Sequence, residues 1–257
     1  MTRRPSFPAR LDRAPGAAPA PRVPQGPVPA GARPAAPAGL GLDSQAVRAN
    51  MVHKLAAQGL KDPRVLAAMG AVERHRFVDS ALVNQSYEDT SLPIGLGQTI
   101  SKPSVVARMI ELLLAGRTDA NGRLGRVLEI GTGCGYQAAV LSCVASEVYS
   151  VERLRGLHDK ARENLRPFRL PNVHLLFGDG MAGYAKGAPY AGIIAAAGGE
   201  TVPEAWITQL GVGGRIVAPT QSASGGQALV VIDKTARGIE RRILEAVHFV
   251  PLKSGIA

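Results

Sequence analysis

Residues 126–137 read R-V-L-E-I-G-T-G-C-G-Y-Q. The first residues are apolar enough for a short buried strand, Val127 to Ile130. Gly131, Gly133 and Gly135 follow as a turn, and a helix opens near Tyr136 and continues through A-A-V-L-S-C. Glycines there let the backbone take positive φ and let a ligand approach the main chain closely. The new helix points its unpaired N–H groups at the same spot. Strand, glycine turn and helix together form a cradle for a nucleotide-type cofactor. This stretch alone does not choose the cofactor. Gly133-x-Gly135-x-x-Ala138 also fits the dinucleotide fingerprint, and Glu152 sits near the offset of about 20 residues at which a ribose-binding acid is found. A purely structural turn in an α/β domain would use the same glycines.

Downstream, strands and helices alternate. Strands are predicted at Glu147–Val151, Val173–Phe177, Gly192–Ala197, Arg215–Ala218, Ala228–Ile232 and Ile243–Val250, with helices over about 154–165 and from Thr201–Pro203 onward. Continuous apolar strands separated by helices imply a parallel sheet covered on both faces. A short turn region, K-T-A-R-G (234–238), lies between the last two strands, so these are expected to pair antiparallel. Gly131–Gly135, Glu152, Asp179 and residues 196–199 all fall at carboxyl ends of strands, where an open α/β sheet binds its ligand. A carboxylate at Glu152 can accept two ribose hydroxyls, and one at Asp179 can accept an adenine amino proton. The plainer readings are a solvated strand end for Glu152 and a turn residue in G-D-G for Asp179.

Upstream, residues 41–80 read as helical. Val47, Met51, Leu55 and Ala56 recur at helical spacing, and Asp62-Pro63 is a cap followed by proline at the first helical position. The basic cluster Arg74, His75 and Arg76 reads as a solvated helix end with Phe77 packed inward. Residues 81–102 read as a loop rich in hydroxyls and glycine, and long loops in compact domains are often functional. Pro103 starts another helix, with its cap expected around Ser101 and Lys102.

The 257-residue chain carries a formal charge of +10, unevenly spread. Residues 1–40 hold six arginines, one acid and ten of the nineteen prolines, a net of +5 that leaves +5 for the other 217 residues. That first segment lacks the branched and aromatic residues needed to bury surface, so it is expected to be a disordered Pro/Ala/Arg-rich extension. The rest, 41–257, is expected to be one domain, with a helical and substrate-loop part over 41–125 and a cofactor-binding sheet over 126–257. Its mild basicity suits an anionic substrate and does not call for specific nucleic-acid binding. Two cysteines, Cys134 and Cys143, are too few for a secreted disulfide framework, which favours a reducing, cytoplasmic setting. The five histidines are scattered without ligand spacing, so no metal is expected. No apolar run reaches about 18 residues and no apolar stretch follows the N-terminal arginines, so neither a membrane span nor a signal peptide is expected.

Several separated motifs resemble the protein-L-isoaspartate O-methyltransferase family, over about residues 45–257. L-P-I-G-L-G-Q-T-I-S-K-P (92–103) is the most specific. V-L-E-I-G-T-G-C-G-Y-Q (127–137), V-E-R (151–153), G-D-G (178–180) and E-A-V-H-F-V-P-L (245–252) accompany it. The resemblance implies a Rossmann-like, doubly wound, mostly parallel seven-stranded sheet and S-adenosylmethionine as methyl donor. Its cofactor set would be Glu129, Gly131, Thr132, Gly133, Gly135, Glu152, Asp179 and Gly180. Ser101 and Thr99 would be catalytic, with Gln98 and Ile100 against the substrate. The implied partners are isoaspartyl-containing proteins and peptides, met by a monomer. The fourth strand departs from the family pattern: Ala191 stands where an aspartate is usual and Ala196 where a threonine is. Two other classes stay open on the residues alone. One is an NAD-dependent oxidoreductase on the same cradle, and the other is a non-catalytic methyltransferase-like binding protein.

Overall fold

The computed structural model of the chain describes residues 45–116, 118–222 and 225–257. The extension expected over 1–40 lies outside the described residues. Three helices come first: α1 (Gln45–Ala57), α2 (Pro63–Ala71) and α3 (Pro103–Leu114). Asp62 caps α2 as its sequence suggested, its carboxylate accepting the N–H of Arg64 at 2.9 Å with Pro63 at the first helical position. Lys102 takes the N-cap position of α3, as expected, but its side chain makes no capping bond; instead Asp89, 15 residues before Ser104, accepts the Ser104 N–H at 2.8 Å.

Residues 81–102 are more ordered than a loop. After 3-10 turns at Arg74–Phe77 and Ser80–Gln85, β1 (Leu92–Gly95) and β2 (Gln98–Ile100) form an antiparallel hairpin. Its tip has three consecutive positive φ angles, at Gly95 (97°), Leu96 (52°) and Gly97 (69°). Glycines on either side of Leu96 make that reversal accessible. Leu92, Ile94 and Ile100 are buried, an alternation that Pro93 and the glycines obscure in the sequence.

The main sheet has seven strands: β3 (Leu124–Ile130), β4 (Ala145–Glu152), β5 (Val173–Phe177), β6 (Tyr190–Ala195), β7 (Leu210–Gln221), β8 (Gln227–Thr235) and β9 (Gly238–Val247). Their order is β5-β4-β3-β6-β7-β8-β9. The first five pair in parallel, and β8 is antiparallel to both β7 and β9. The β7–β8 reversal adds to the expected β8–β9 one. Only residues 222–226 join β7 to β8, too few for a crossover. Several strands run longer than their apolar cores, and β9 begins and ends earlier than the expected 243–250.

Helices α4 (Tyr136–Val144), α5 (Arg155–Leu165) and α6 (Glu204–Gln209) complete the fold. Alternate strand residues go to opposite faces. Val127, Val148, Ile194, Val217, Leu229 and Val231 pack in one core with α1 to α5. Leu128, Ile130, Val151, Ile193, Ile216 and Val230 pack in another with Trp206 of α6. Both faces are thus covered, and β3 contributes to each core. No helix among the described residues is long and apolar enough to cross a membrane.

Candidate active site

The turn after β3 is held open by its glycines. Gly131, Gly133 and Gly135 have φ of 87°, 58° and 92°, and Gly135 is the left-handed cap of α4. Gly131 N–H donates to the carbonyl of Val151 at 2.9 Å, tying the turn to the end of β4. A Cβ on Gly133 would stand 3.2 Å from Ile94 Cδ1 of the hairpin, so hairpin and turn are in close contact.

Glu152 ends β4 and points back to the same turn. Its Oε2 accepts the Gly133 N–H and its Oε1 the Leu154 N–H, each at 2.9 Å. One bond per oxygen leaves lone pairs for a diol. Beneath the turn lies a buried polar group. Thr132 Oγ1 is 2.6 Å from Ser150 Oγ, and Ser150 donates to Glu129 Oε2. Burial pushes the Glu129 carboxyl up to about 8, with Glu152 adding repulsion, while the hydroxyl of Ser150 and the amide of Gln137 oppose the rise. Glu129 Oε1 and Gln137 Nε2 are both buried without a hydrogen-bond partner of good geometry, although Gln137 lies beside the carboxyl.

At the end of β5, Asp179 is occupied by the chain itself. Oδ1 accepts the Met181 N–H at 2.8 Å and caps a short 3-10 turn, and Oδ2 accepts the Gly255 N–H at 2.7 Å. Gly180 packs so tightly that a Cβ would lie 2.5 Å from Ile130 Cγ2, and its carbonyl accepts Trp206 Nε1–H at 2.8 Å. The segment after β9 crosses the same edge of the sheet. Val250 and Leu252 bond to Gly198, and Ala257 bonds to Arg153 and Arg155.

Two cavities meet at this edge. One, of about 470 Å³, is lined by the turn residues Gly131, Thr132 and Gly133, by Gln137, Glu152 and Gly180, and on its outer side by Pro251–Lys253. The other, of about 860 Å³, opens between α3 and the end of β9 and is lined by Lys102, Arg108, Met109, Glu111, Glu245 and His248, among others. Thr99, Ser101, Ala196 and Val250 belong to both walls. Gln98 and Ile100 line only the smaller one. Among the described residues the hydroxyls of Thr99 and Ser101 make no hydrogen bond within the chain, so they are free to meet a ligand.

Most of the candidate residues are therefore brought together. Glu129 and Gly135 stand behind the lining and Asp179 beside it. Of the two departures, Ala196 lines both cavities, whereas Ala191, at the opposite end of β6 beside Gly125, touches neither. The sequence reading misplaced Arg74, which is fully buried and no solvated helix end. Its Nη2 donates to the carbonyl of Ser101 and its Nε to that of Ser86, each at 2.8 Å, and its guanidinium lies 4.8 Å from the Tyr136 ring centre. A run of two arginines around a histidine gave no sign of which one turns inward. Pro251 and Leu252 were likewise seen only as part of a motif, and Lys253 not at all, rather than as a wall.

Residues 46–257 match the family profile described as protein-L-isoaspartate(D-aspartate) O-methyltransferase. The protein-L-isoaspartate O-methyltransferase of Methylibium petroleiphilum is 62% identical over 262 residues, covering 98% of this chain and 96% of that one. Its namesake from Leptothrix cholodnii is 58% identical over 226 residues, covering 87% and 79%. A solved protein-L-isoaspartate O-methyltransferase superposes with a TM-score of 0.72 at 29% identity, over 80% of this chain and 66% of that one. A putative one from Plasmodium falciparum, in complex with S-adenosyl-L-homocysteine, has a TM-score of 0.68 at 21% identity and shares the fold.

Proposed function

This chain belongs to the protein-L-isoaspartate(D-aspartate) O-methyltransferase family, and from that premise we propose how its residues divide the work. The chain is a methyltransferase acting on the free carboxylate of L-isoaspartyl residues, with S-adenosylmethionine as methyl donor; family membership sets aside both the oxidoreductase and the non-catalytic alternatives. Its residues fit that donor. Glu152 has lone pairs left for a ribose, and Gln137, beside the Glu129 carboxyl, is on the cavity wall. Gly131 and Gly133 keep the main chain accessible, and Asp179 and Gly180 lie at the edge where an adenine would rest.

When bound, S-adenosylmethionine supplies an electrophilic methyl group on a sulfonium. The substrate carboxylate, with a pKa of about 4, is already an anion at neutral pH, so no strong base is needed. The task left to the chain is alignment and exclusion of water. Ser101, assisted by Thr99, donates a hydrogen bond to one carboxylate oxygen and leaves the other aimed at the methyl group. A bond of this kind to a charged group contributes about 1–3 kcal/mol. The observation that carries this reading is that Thr99 and Ser101 belong to both cavities, between the glycine cradle and the larger opening. The smaller cavity then takes the nucleoside and the larger one the peptide.

An isoaspartyl linkage places its free carboxylate where an ordinary aspartate continues its backbone, and the 90–103 segment selects for that kink. Methylation yields an ester that collapses to a succinimide without further help, opening the route to repair. Cys134, buried, and Cys143, exposed, are both free thiols, which supports action in a reducing cytoplasm, and we infer that the chain acts as a monomer. The test pairs an isoaspartyl peptide with its aspartyl twin and labelled methyl donor. Base-labile label is expected on the first alone; equal labelling of both removes the specificity claim, and none on either removes the activity.

A further inference from the structure

We propose that Arg74 is a positioning residue for methyl transfer, holding the main chain at Ser101 so that its hydroxyl faces the substrate carboxylate. This rests on the role given above to Ser101. Arg74 is a charged side chain placed in the core with no solvent exposure. Among the described residues it forms no ion pair, and its Nη1 has no hydrogen-bond partner of good geometry. Burying a cation this way is costly unless its hydrogen bonds and ring contacts repay it. The ones it makes are specific. Nε and Nη2 clamp two carbonyls that lie 15 residues apart in sequence, Ser86 ahead of the hairpin and Ser101 just behind it. Its Cζ lies 4.8 Å from the ring centre of Tyr136, the first residue of α4 after the glycine turn.

The same guanidinium therefore touches both halves of the site. The Ser101 carbonyl belongs to the residue shared by the two cavities, and Tyr136 lines the smaller one. Among the described residues no other donor holds that carbonyl: β2 ends at Ile100, and the first N–H groups of α3 go to Asp89 and to the Lys102 carbonyl. A core aliphatic residue would fill the space without fixing the loop. Only a planar group with several donors spans two carbonyls and stacks on a ring at once, so lysine is not an equivalent.

The test measures Arg74→Ala and Arg74→Lys beside Ser101→Ala, using an isoaspartyl peptide, with S-adenosylhomocysteine binding by calorimetry and thermal unfolding as separate readouts. For the alanine variant, kcat is expected to fall roughly tenfold or more while the S-adenosylhomocysteine Kd stays within about threefold, because the loss is of alignment and not of the cradle. Methylguanidinium at millimolar concentration is expected to refill the vacated space and restore part of kcat. The lysine variant, keeping the charge but not the planar fork of donors, is expected to fall between. Unchanged kcat in either folded variant, or an unrescued loss that tracks a weakened Kd, overturns the proposal. So does failure of both variants to fold, which would make Arg74 a scaffold residue. Full turnover in Ser101→Ala would instead remove the reading on which the proposal rests.

Discussion

The carboxylate of Glu152 and the N–H of Gly133 are joined by a 2.9 Å hydrogen bond. It ties the end of β4 to the second glycine of the turn after β3, across two neighbouring parallel strands. The acid proposed to grip a ribose is thereby also the group that sets the shape of the turn beneath it, so in that reading cofactor affinity and turn geometry are coupled through one side chain.

Glu152→Ala is expected to weaken S-adenosylhomocysteine binding by about tenfold or more, since it removes charge-assisted bonds to a diol and loosens the Gly133 turn. The KM for peptide should change little. Calorimetry decides this, and an unaltered Kd would exclude the ribose role.

Ser101→Ala is expected to lower kcat by about 10- to 100-fold, the equivalent of one orienting hydrogen bond to a charged oxygen. Cofactor binding should be retained. Steady-state kinetics with wild-type turnover would refute the assignment.

Glu129 gives a pH signature. Burial, first, and the Glu152 charge, second, raise its carboxyl from 4.5 to about 8 in the folded chain. Below 4.5 both the folded and unfolded forms carry the proton and the stabilisation is complete. As the pH rises toward 8 the unfolded form releases its proton first, so this contribution is lost across that window. Relative to Glu129→Gln, which stays neutral, the wild-type melting temperature should drop by at least about 3 °C between the two ends. Parallel melting curves would mean that the buried carboxyl is not perturbed.

Gly180→Ala places a Cβ 2.5 Å from Ile130 Cγ2, at the end of β3. Overpacking of this sort costs about 1–3 kcal/mol. Denaturant unfolding should register that loss, together with weaker cofactor binding from the displaced wall. A variant as stable as the wild type would mean that the G-D-G turn yields freely.

The cradle was legible because its signal is local. Val127–Ile130, the three glycines and Glu152 follow rules that act over a few residues, and the mostly parallel pairing follows from the alternation of strands and helices; the strand order and the β7–β8 reversal were not read. The hairpin at 92–100 was less so, because Pro93 and Gly95 break its alternation while Leu92, Ile94 and Ile100 still carry it. Arg74 could not be read at all, since its burial depends on carbonyls at Ser86 and Ser101 and on a ring at Tyr136, all distant in sequence. The same applies to Asp89 as the cap of α3 and to Pro251–Lys253 as the outer wall. Asp179, a turn residue by one reading and an adenine ligand by the other, is engaged by Met181 and Gly255, so its part in cofactor binding is a matter for measurement.

The most direct measurement is a structure with S-adenosylhomocysteine and an isoaspartyl peptide bound together. The expected result has the ribose on Glu152 in the smaller cavity, the peptide in the larger one, and the isoaspartyl carboxylate within hydrogen-bond distance of Ser101 Oγ. A carboxylate lodged away from Thr99 and Ser101, or a nucleoside outside the Gly131–Gly133 cradle, would contradict the account.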